Sequence, residues 1–168
     1  MQDHERYIRR CIELGREALG TGDSPVGSLI VRAGVIIAEG CEAVRAHLDV
    51  TAHAEIEAIR AASERIGSLD LTGCTLYTSV EPCPMCAYAI RLARVTAVVA
   101  GAASPGSDLA LTGEAVLSNP DILPGRTPPA VVRGVLSREC RALLDERVPN
   151  SRPAQPPADS VPPVGTDA

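Results

Sequence analysis

One histidine and two cysteines in this sequence have the types and spacing of ligands for a single zinc ion. Cys83 and Cys86 are one helical turn apart, so both sulfurs can point at one ion, and His53 offers an imidazole nitrogen. Structural zinc sites close with a fourth protein ligand, whereas catalytic sites hold three and keep a position for water. The remaining histidines, His4 and His47, have no motif spacing to this set. The sequence therefore predicts an open, catalytic site with one zinc ion per chain.

A carboxylate follows the histidine at a spacing that suits proton transfer. Glu55 comes two residues after His53, which places it beside the metal without requiring it to coordinate. Zinc lowers the pKa of a bound water from about 15.7 to roughly 7, and a carboxylate within reach can take its proton and pass it on. Glu55 is therefore the predicted catalytic acid and base.

Three other interpretations of these residues remain open. A C-x-x-C pair is also found in thioredoxin-like redox proteins, but a redox pair leaves the upstream His53-Ala54-Glu55 unexplained. A purely structural zinc site needs a fourth ligand that the spacing does not supply. A remnant that has lost its metal is the third interpretation, and the intact Glu55 speaks against it.

The composition indicates one α/β domain followed by a tail. The 168 residues include no Trp, no Phe and only 3 Tyr, so the core must be aliphatic. Residues 149–168 are rich in proline and poor in large apolar side chains, which is typical of an extended or disordered segment. We therefore expect a zinc-dependent domain over residues 1–148 and a proline-rich disordered tail over 149–168.

Hydrophobic periodicity and turn residues predict the helices and strands that position the ligands. Two helices are predicted to begin at His53 and Cys83, so their N-termini would meet at one ion. The positive end of a helix dipole favours carboxylates and thiolates there. The predicted order is a helix over 4–19, two antiparallel strands joined at Arg32-Ala33-Gly34, a helix over 53–66, a strand over 74–80, a helix over 83–91, a strand over 95–102, a short helix over 114–118, a strand over 130–136 and a helix over 138–148.

The motifs together resemble a known family. His53-Ala54-Glu55, followed by Pro82-Cys83-Pro84-Met85-Cys86, is similar to the H-x-E and P-C-x-x-C signature of the zinc-dependent nucleobase and nucleoside deaminases. The similarity runs from Val26-Gly27 to about Gly101, and it is greatest to the branch of guanine deaminases, cytosine deaminases and tRNA adenosine deaminases. The resemblance implies hydrolytic deamination, a homodimer and an α/β fold of cytidine-deaminase type. This fold is a three-layer α/β/α sandwich around a five-stranded mixed sheet whose last strand is parallel.

Substrate contacts are predicted at four positions outside the metal set. Relatives with an E-G-x-N pattern carry an Asn that binds substrate, and this sequence has Glu42 at that place. An ionised carboxylate only accepts hydrogen bonds, so it would favour a ring edge rich in N–H groups, although a solvated loop glutamate is an equally simple interpretation. The resemblance also implies a contact from the backbone N–H of Ala54. Ser107 and Asp108 lie in a loop after a strand, where such residues contact substrate or only form the loop.

These observations favour a small-molecule deaminase. The net charge is −5, whereas polyanion binders usually carry a basic excess, so nucleic acid is not the expected partner. Guanine or an aminotriazine is the favoured substrate type, and cytosine is possible. A tRNA adenosine deaminase is the alternative, and a zinc-binding subunit without turnover is a third. No signal peptide or membrane span is recognised, so a cytoplasmic protein is expected.

Overall fold

The computed structural model describes residues 4–104 and 112–146, and its elements follow the predicted order. They are α1 (His4–Gly20), β1 (Gly27–Arg32), β2 (Val35–Cys41), α2 (Ala54–Ile66), β3 (Cys74–Val80), α3 (Pro84–Leu92), β4 (Ala97–Ala102), α4 (Gly113–Ser118), a 3₁₀ turn (Pro120–Ile122), β5 (Ala130–Val132) and α5 (Ser137–Asp145). The predicted tail, 149–168, and the loop positions Ser107 and Asp108 lie outside the described residues.

The five strands form one mixed sheet in the order β2-β1-β3-β4-β5. Strand β1 is antiparallel to both β2 and β3, whereas β3, β4 and β5 are parallel to one another. Parallel neighbours need a crossover connection, and α3 supplies it between β3 and β4. The prediction of a five-stranded mixed sheet with a parallel last strand is confirmed.

Helices cover both faces of this sheet, which gives three layers. Successive side chains of a strand point to opposite faces, so Leu76 and Tyr77 of β3 belong to different cores. Tyr77 packs with α1 and α5, for example against Ile8 and Leu143. Leu76 packs with the apolar side chains of α2 and α3, including Ile90. Both cores are mainly aliphatic, as the composition predicts.

The hairpin between β1 and β2 turns at the predicted residues. Ala33 and Gly34 both have positive φ, 50° and 78°, which is the backbone of a two-residue type I′ turn. The register shifts once between Ile30 and Val31. The two-residue turn leaves Arg32 paired with Val35 at the end of the hairpin.

Gly40 lets α2 approach β2 closely. A Cβ atom at this position would lie 2.4 Å from the carbonyl oxygen of Ala54 and 2.5 Å from the amide nitrogen of Ala58, which no real side chain tolerates. The absence of a side chain at Gly40 therefore allows the first turn of α2 to rest on the sheet. That turn carries the histidine and the glutamate of the motif.

The fifth strand is shorter than predicted. The apolar pattern suggested a strand over 130–136, but β5 ends at Val132. Gly134 and Leu136 then take φ values of 77° and 52°, in the left-handed region, and this turns the chain out of the sheet and into α5. The apolar Val135 and Leu136 after Arg133 and Gly134 made the apolar run longer than the strand, although Gly134 is itself a turn residue. Within the described ranges, no helix combines the length and the apolar character needed to cross a bilayer.

Candidate active site

His53, Cys83 and Cys86 come together at one point, as the sequence spacing predicts. One potential ligand atom from each side chain lies within 4.8 Å of the other two. The Nδ1 atom of His53 is 3.7 Å from the Sγ atom of Cys83. Nitrogen and thiolate donors in this number are those that Zn²⁺ binds, and no fourth ligand joins them among the described residues. The donor set therefore fits a zinc ion with an open coordination position.

Two equivalent helix starts present these ligands. His53 precedes α2 and Cys83 precedes α3, both with extended backbone and neither using its side chain as a cap. Their carbonyl oxygens instead accept the first helical hydrogen bonds, from Glu57 at 3.0 Å and Ala87 at 2.8 Å. Pro84 has no N–H and a fixed φ, so it suits the first position of α3. The two ligand side chains are thus left available at the end of β3.

The cluster is electrostatically suited to a cation even in the metal-free chain. A hydrogen bond from the Cys86 thiol lowers the pKa of Cys83 to about 4, and the same bond together with burial raises the pKa of Cys86. The hydrogen bond with Cys83 raises the pKa of His53 to about 9. A metal ion that binds these residues therefore displaces protons from them.

Glu55 lies beside the cluster in the first turn of α2 and is only 3 % exposed. Burial raises the pKa of its carboxyl group to about 7, and the nearby Glu42 carboxylate adds to this effect. The Oγ1 atom of Thr78 is 3.3 Å from Oε1 of Glu55. A buried carboxyl group that holds or releases a proton near neutral pH has the property required of a general acid and base.

Glu42 also reaches the site, from the segment after β2, and is only 9 % exposed. Its Oε2 atom accepts a hydrogen bond from the backbone N–H of Ala54 at 3.0 Å. The resemblance assigns the backbone N–H of Ala54 to the substrate. In the structure this residue is fully buried, and its N–H already donates to Glu42. Burial raises the pKa of Glu42. The carboxylate is therefore not a solvated loop group, and it fastens the turn between the histidine and Glu55.

A cavity of about 230 Å³ opens onto these groups. The polar side chains at its wall include the carboxylates of Glu42, Glu55 and Glu81 together with His53 and Cys83. No lysine or arginine of the described ranges lines it. A larger cavity of about 510 Å³ lies against Arg94 and Arg126, but none of the ligand residues borders it. Chemistry rather than size identifies the smaller cavity as the candidate active site.

Several residues near the site had no local sequence signal. Arg133 forms ion pairs with Glu81 at 3.5 Å and with Glu114 at 2.7 Å, which links the segment after β3 to α4. Asp23 accepts hydrogen bonds from two backbone amides of the 41–50 segment and so anchors it. These contacts join positions far apart in the chain. Thr78 is one of three Ser or Thr side chains in β3, with Thr75 and Ser79, so the sequence did not single it out.

The comparisons with known proteins agree with this geometry. Residues 1–102 match the model of the cytidine and deoxycytidylate deaminase zinc-binding region. Guanine deaminase of Bacillus subtilis is 47% identical over 97 residues, 57% of this chain and 62% of that protein, so the chain spans less than two thirds of its length. The tRNA-specific adenosine deaminase of Bacillus subtilis is 35% identical over 144 residues, 86% of this chain and 88% of that protein.

A solved structure from a study of tRNA:A34 deaminases has the same fold. It superposes with a TM-score of 0.75 at 33% sequence identity, over 82% of this chain and 98% of that one. The match extends beyond the residues of the family model into the C-terminal third of the chain. Relatives that act on a free base and relatives that act on tRNA are therefore both similar to this protein.

Proposed function

Given that this chain belongs to the family of zinc-binding cytidine and deoxycytidylate deaminases, we propose that it hydrolytically removes an amino group from a small heterocycle of nucleobase type. Guanine or an amino-substituted triazine is favoured, and cytosine is a further candidate. The observation that carries this choice of substrate is the buried Glu42 carboxylate at the wall of a small acidic cavity.

The proposed chemistry divides between the metal and one carboxyl group. His53, Cys83 and Cys86 hold the zinc ion, which when bound supplies Lewis-acid activation of the attacking water. Glu55 accepts a proton from that water as its oxygen attacks the ring carbon that bears the amino group. Glu55 delivers this proton to the adjacent ring nitrogen, then takes the remaining proton of the added hydroxyl and delivers it to the leaving amine. A carbon–oxygen bond replaces the carbon–nitrogen bond, and ammonia leaves.

The hydrogen-bonding capacity of Glu42 supports a substrate with N–H groups at its edge. Oε2 is engaged by the amide of Ala54. Within the described ranges no hydrogen bond is formed by Oε1, and the side chain borders the cavity. An ionised carboxylate has no hydrogen to donate, so Oε1 favours a ring with an amino or imino N–H. Guanine and aminotriazines present such an edge, whereas the acceptor edge of cytosine fits less well.

The charge of the cavity also favours an uncharged heterocycle as the substrate. Glu42, Glu55 and Glu81 line it, of which Glu81 pairs with Arg133, and no lysine or arginine of the described residues lines the cavity to pair with a phosphate group near the ring. Free bases and related uncharged rings need no such partner. Ser107 and Asp108 remain predicted substrate contacts, and Ala54 remains one through the resemblance, although its amide already donates to Glu42.

A tRNA adenosine deaminase is the second candidate, and one observation favours it. The tRNA-specific relative covers 86% of this chain, whereas the guanine deaminase covers 57%. The acidic cavity and the net charge of −5 speak against a polyanionic substrate. A zinc-binding subunit without turnover is the third candidate, and the buried Glu55 beside the ligands speaks against it.

Ammonia release from a panel of compounds separates these candidates. The panel holds guanine, cytosine, adenine, their nucleosides, aminotriazines and a tRNA anticodon stem. We expect turnover of a free amino-heterocycle, with guanine or an aminotriazine fastest. Release from the RNA alone would overturn the proposed substrate class, and no release from any compound by the zinc-loaded protein would favour the non-catalytic subunit.

Glu42→Gln tests whether Glu42 accepts a hydrogen bond from an N–H group of the substrate ring. Glutamine keeps an oxygen that can accept the Ala54 amide hydrogen and replaces the second oxygen with an NH₂ donor. We expect kcat/KM for the N–H-rich rings to fall about tenfold relative to that for cytosine, since this is the size of one hydrogen bond to a charged group. Zinc content should not change.

The control for this variant is Glu39→Gln, since Glu39 lies on β2 and pairs with Arg10 on the surface. This control should leave substrate preference unaltered. An equal loss of activity across the whole panel in Glu42→Gln would show that Glu42 acts only by holding the turn at Ala54.

Assembly and location remain predictions. The resemblance implies a homodimer, and the expected compartment is the cytoplasm. The division into a zinc-dependent domain over 1–148 and a tail over 149–168 is likewise a prediction.

A further inference from the structure

Thr78 is an unexpected residue in a buried strand. Strand β3 is buried along nearly all of its length, and Thr78 itself is fully buried. Leu76, two positions earlier on the same face, packs in the apolar core beside α2 and α3. An apolar side chain would continue this pattern, whereas a buried hydroxyl loses free energy unless it is hydrogen-bonded. The hydroxyl of Thr78 therefore has a cost that its contacts must offset.

Two acceptors lie within reach of this hydroxyl. The Oγ1 atom is 3.0 Å from the carbonyl oxygen of Val80 and 3.3 Å from Oε1 of Glu55. A hydroxyl has one hydrogen and two lone pairs. Rotation about its C–O bond thus allows Thr78 to donate to a Glu55 carboxylate, or to donate to Val80 and accept from a Glu55 carboxyl group.

Thr78 is a side-chain hydrogen-bond partner of Glu55 among the described residues, at 3.3 Å between Oγ1 and Oε1. Both side chains are buried, so water does not readily replace this contact.

We propose that Thr78 is a positioning residue, whose hydroxyl holds the Glu55 carboxyl group in the orientation needed for proton transfer. This inference rests on the proposed function for its catalytic consequence. The contact between the two side chains stands independently of it. A small displacement of a general acid or base slows proton transfer without changing how strongly the substrate binds, so the effect belongs to kcat rather than to KM.

The test compares Thr78→Val, which keeps the shape and removes the hydroxyl, with Thr78→Ser, which keeps the hydroxyl. Ser28→Ala is the matched control, because Ser28 lies opposite Thr78 on β1, is equally buried and donates its hydroxyl to the carbonyl of Tyr77. On the panel compound that the unmodified protein deaminates fastest, we expect Thr78→Val to lower kcat about tenfold with KM within about twofold. Thr78→Ser should recover most of kcat, and Ser28→Ala should not lower it.

A second measurement does not need activity. In the zinc-loaded protein, Thr78→Val should lower Tm by several degrees, roughly 5 °C, when Glu55 is present. It should lower Tm by clearly less in a Glu55→Ala background, since the contact is already gone. This non-additivity measures the interaction between the two side chains directly.

Three results would overturn the proposal. They are a Thr78→Val variant with unchanged kcat, a loss of kcat that Thr78→Ser does not repair, and a loss of kcat that accompanies loss of zinc. If the unmodified protein deaminates no compound in the panel, the proposed function fails and the Tm comparison decides the contact alone. Additive Tm changes would then overturn it.

Discussion

Glu55→Gln is expected to bind zinc as the unmodified protein does and to release ammonia at least about a thousandfold more slowly. Positioned proton transfer contributes a factor of about 10² to 10⁴, and Glu55 is assigned every proton step of the reaction. The amide of glutamine has nearly the same shape as the carboxyl group but cannot take up and return a proton. Glu55 is not one of the three clustered ligand residues, so the metal should remain.

The measurement is kcat on the best substrate of the panel, with zinc content determined on the same sample. Glu57→Gln is the matched control, because Glu57 lies on the same turn of α2 and pairs with Arg60 outside the cavity. It should retain normal turnover and normal zinc. A Glu55→Gln variant with near-normal kcat would falsify the role assigned to this carboxyl group.

Cys86→Ala is expected to lose zinc and, with it, both turnover and a large part of the stability of the fold. Cys86 is fully buried at the start of α3 and supplies one of only three ligands in the described site. A ligand that binds only the folded state contributes about 4 kcal/mol when its free concentration is a thousand times its Kd. For a domain of this size that corresponds to a fall in Tm of roughly 10 °C.

The measurements are the zinc content of the unmodified protein and of Cys86→Ala, and the Tm of each before and after chelation. Chelation should lower Tm of the unmodified protein and leave Tm of Cys86→Ala nearly unchanged, because that variant has no metal to lose. The control is Cys74→Ala, which removes another fully buried thiol, from β3, outside the cluster. It should keep its zinc and its response to chelation. A Cys86→Ala variant with full zinc content would remove Cys86 from the ligand set.

The metal ligands were accessible to sequence reasoning because each carries its own chemical signal. Cys83 and Cys86 are close in the chain, and His53 stands next to a glutamate in a short motif. The structure places all three ligand atoms within 4.8 Å of one another, although thirty residues separate His53 from Cys83. The sequence also predicted a helix start at each of His53 and Cys83, and the structure adds that both residues have extended backbone just before the helix.

The secondary structure was predictable where periodicity and turn residues agreed. The Ala33-Gly34 turn and the helix starts lie where expected. Periodicity was misleading at β5, because the apolar Val135 and Leu136 extended the pattern past Val132, although Gly134 and Leu136 turn the chain out of the sheet. An apolar pattern does not distinguish a strand from a turn whose apolar side chains are half-buried.

By itself, the sequence predicted the kind of chemistry, namely three zinc ligands and one proton-transferring carboxyl group, and it determined an α/β scaffold with helix starts at the predicted ligands. These features are local, since each depends on residue type and on spacing within a few positions. Only the tertiary structure decided the surroundings of that chemistry. Glu42 is buried against the amide of Ala54, and Thr78 of β3 contacts Glu55 of α2. Contacts of this kind depend on how distant segments pack, and no spacing in the chain encodes them.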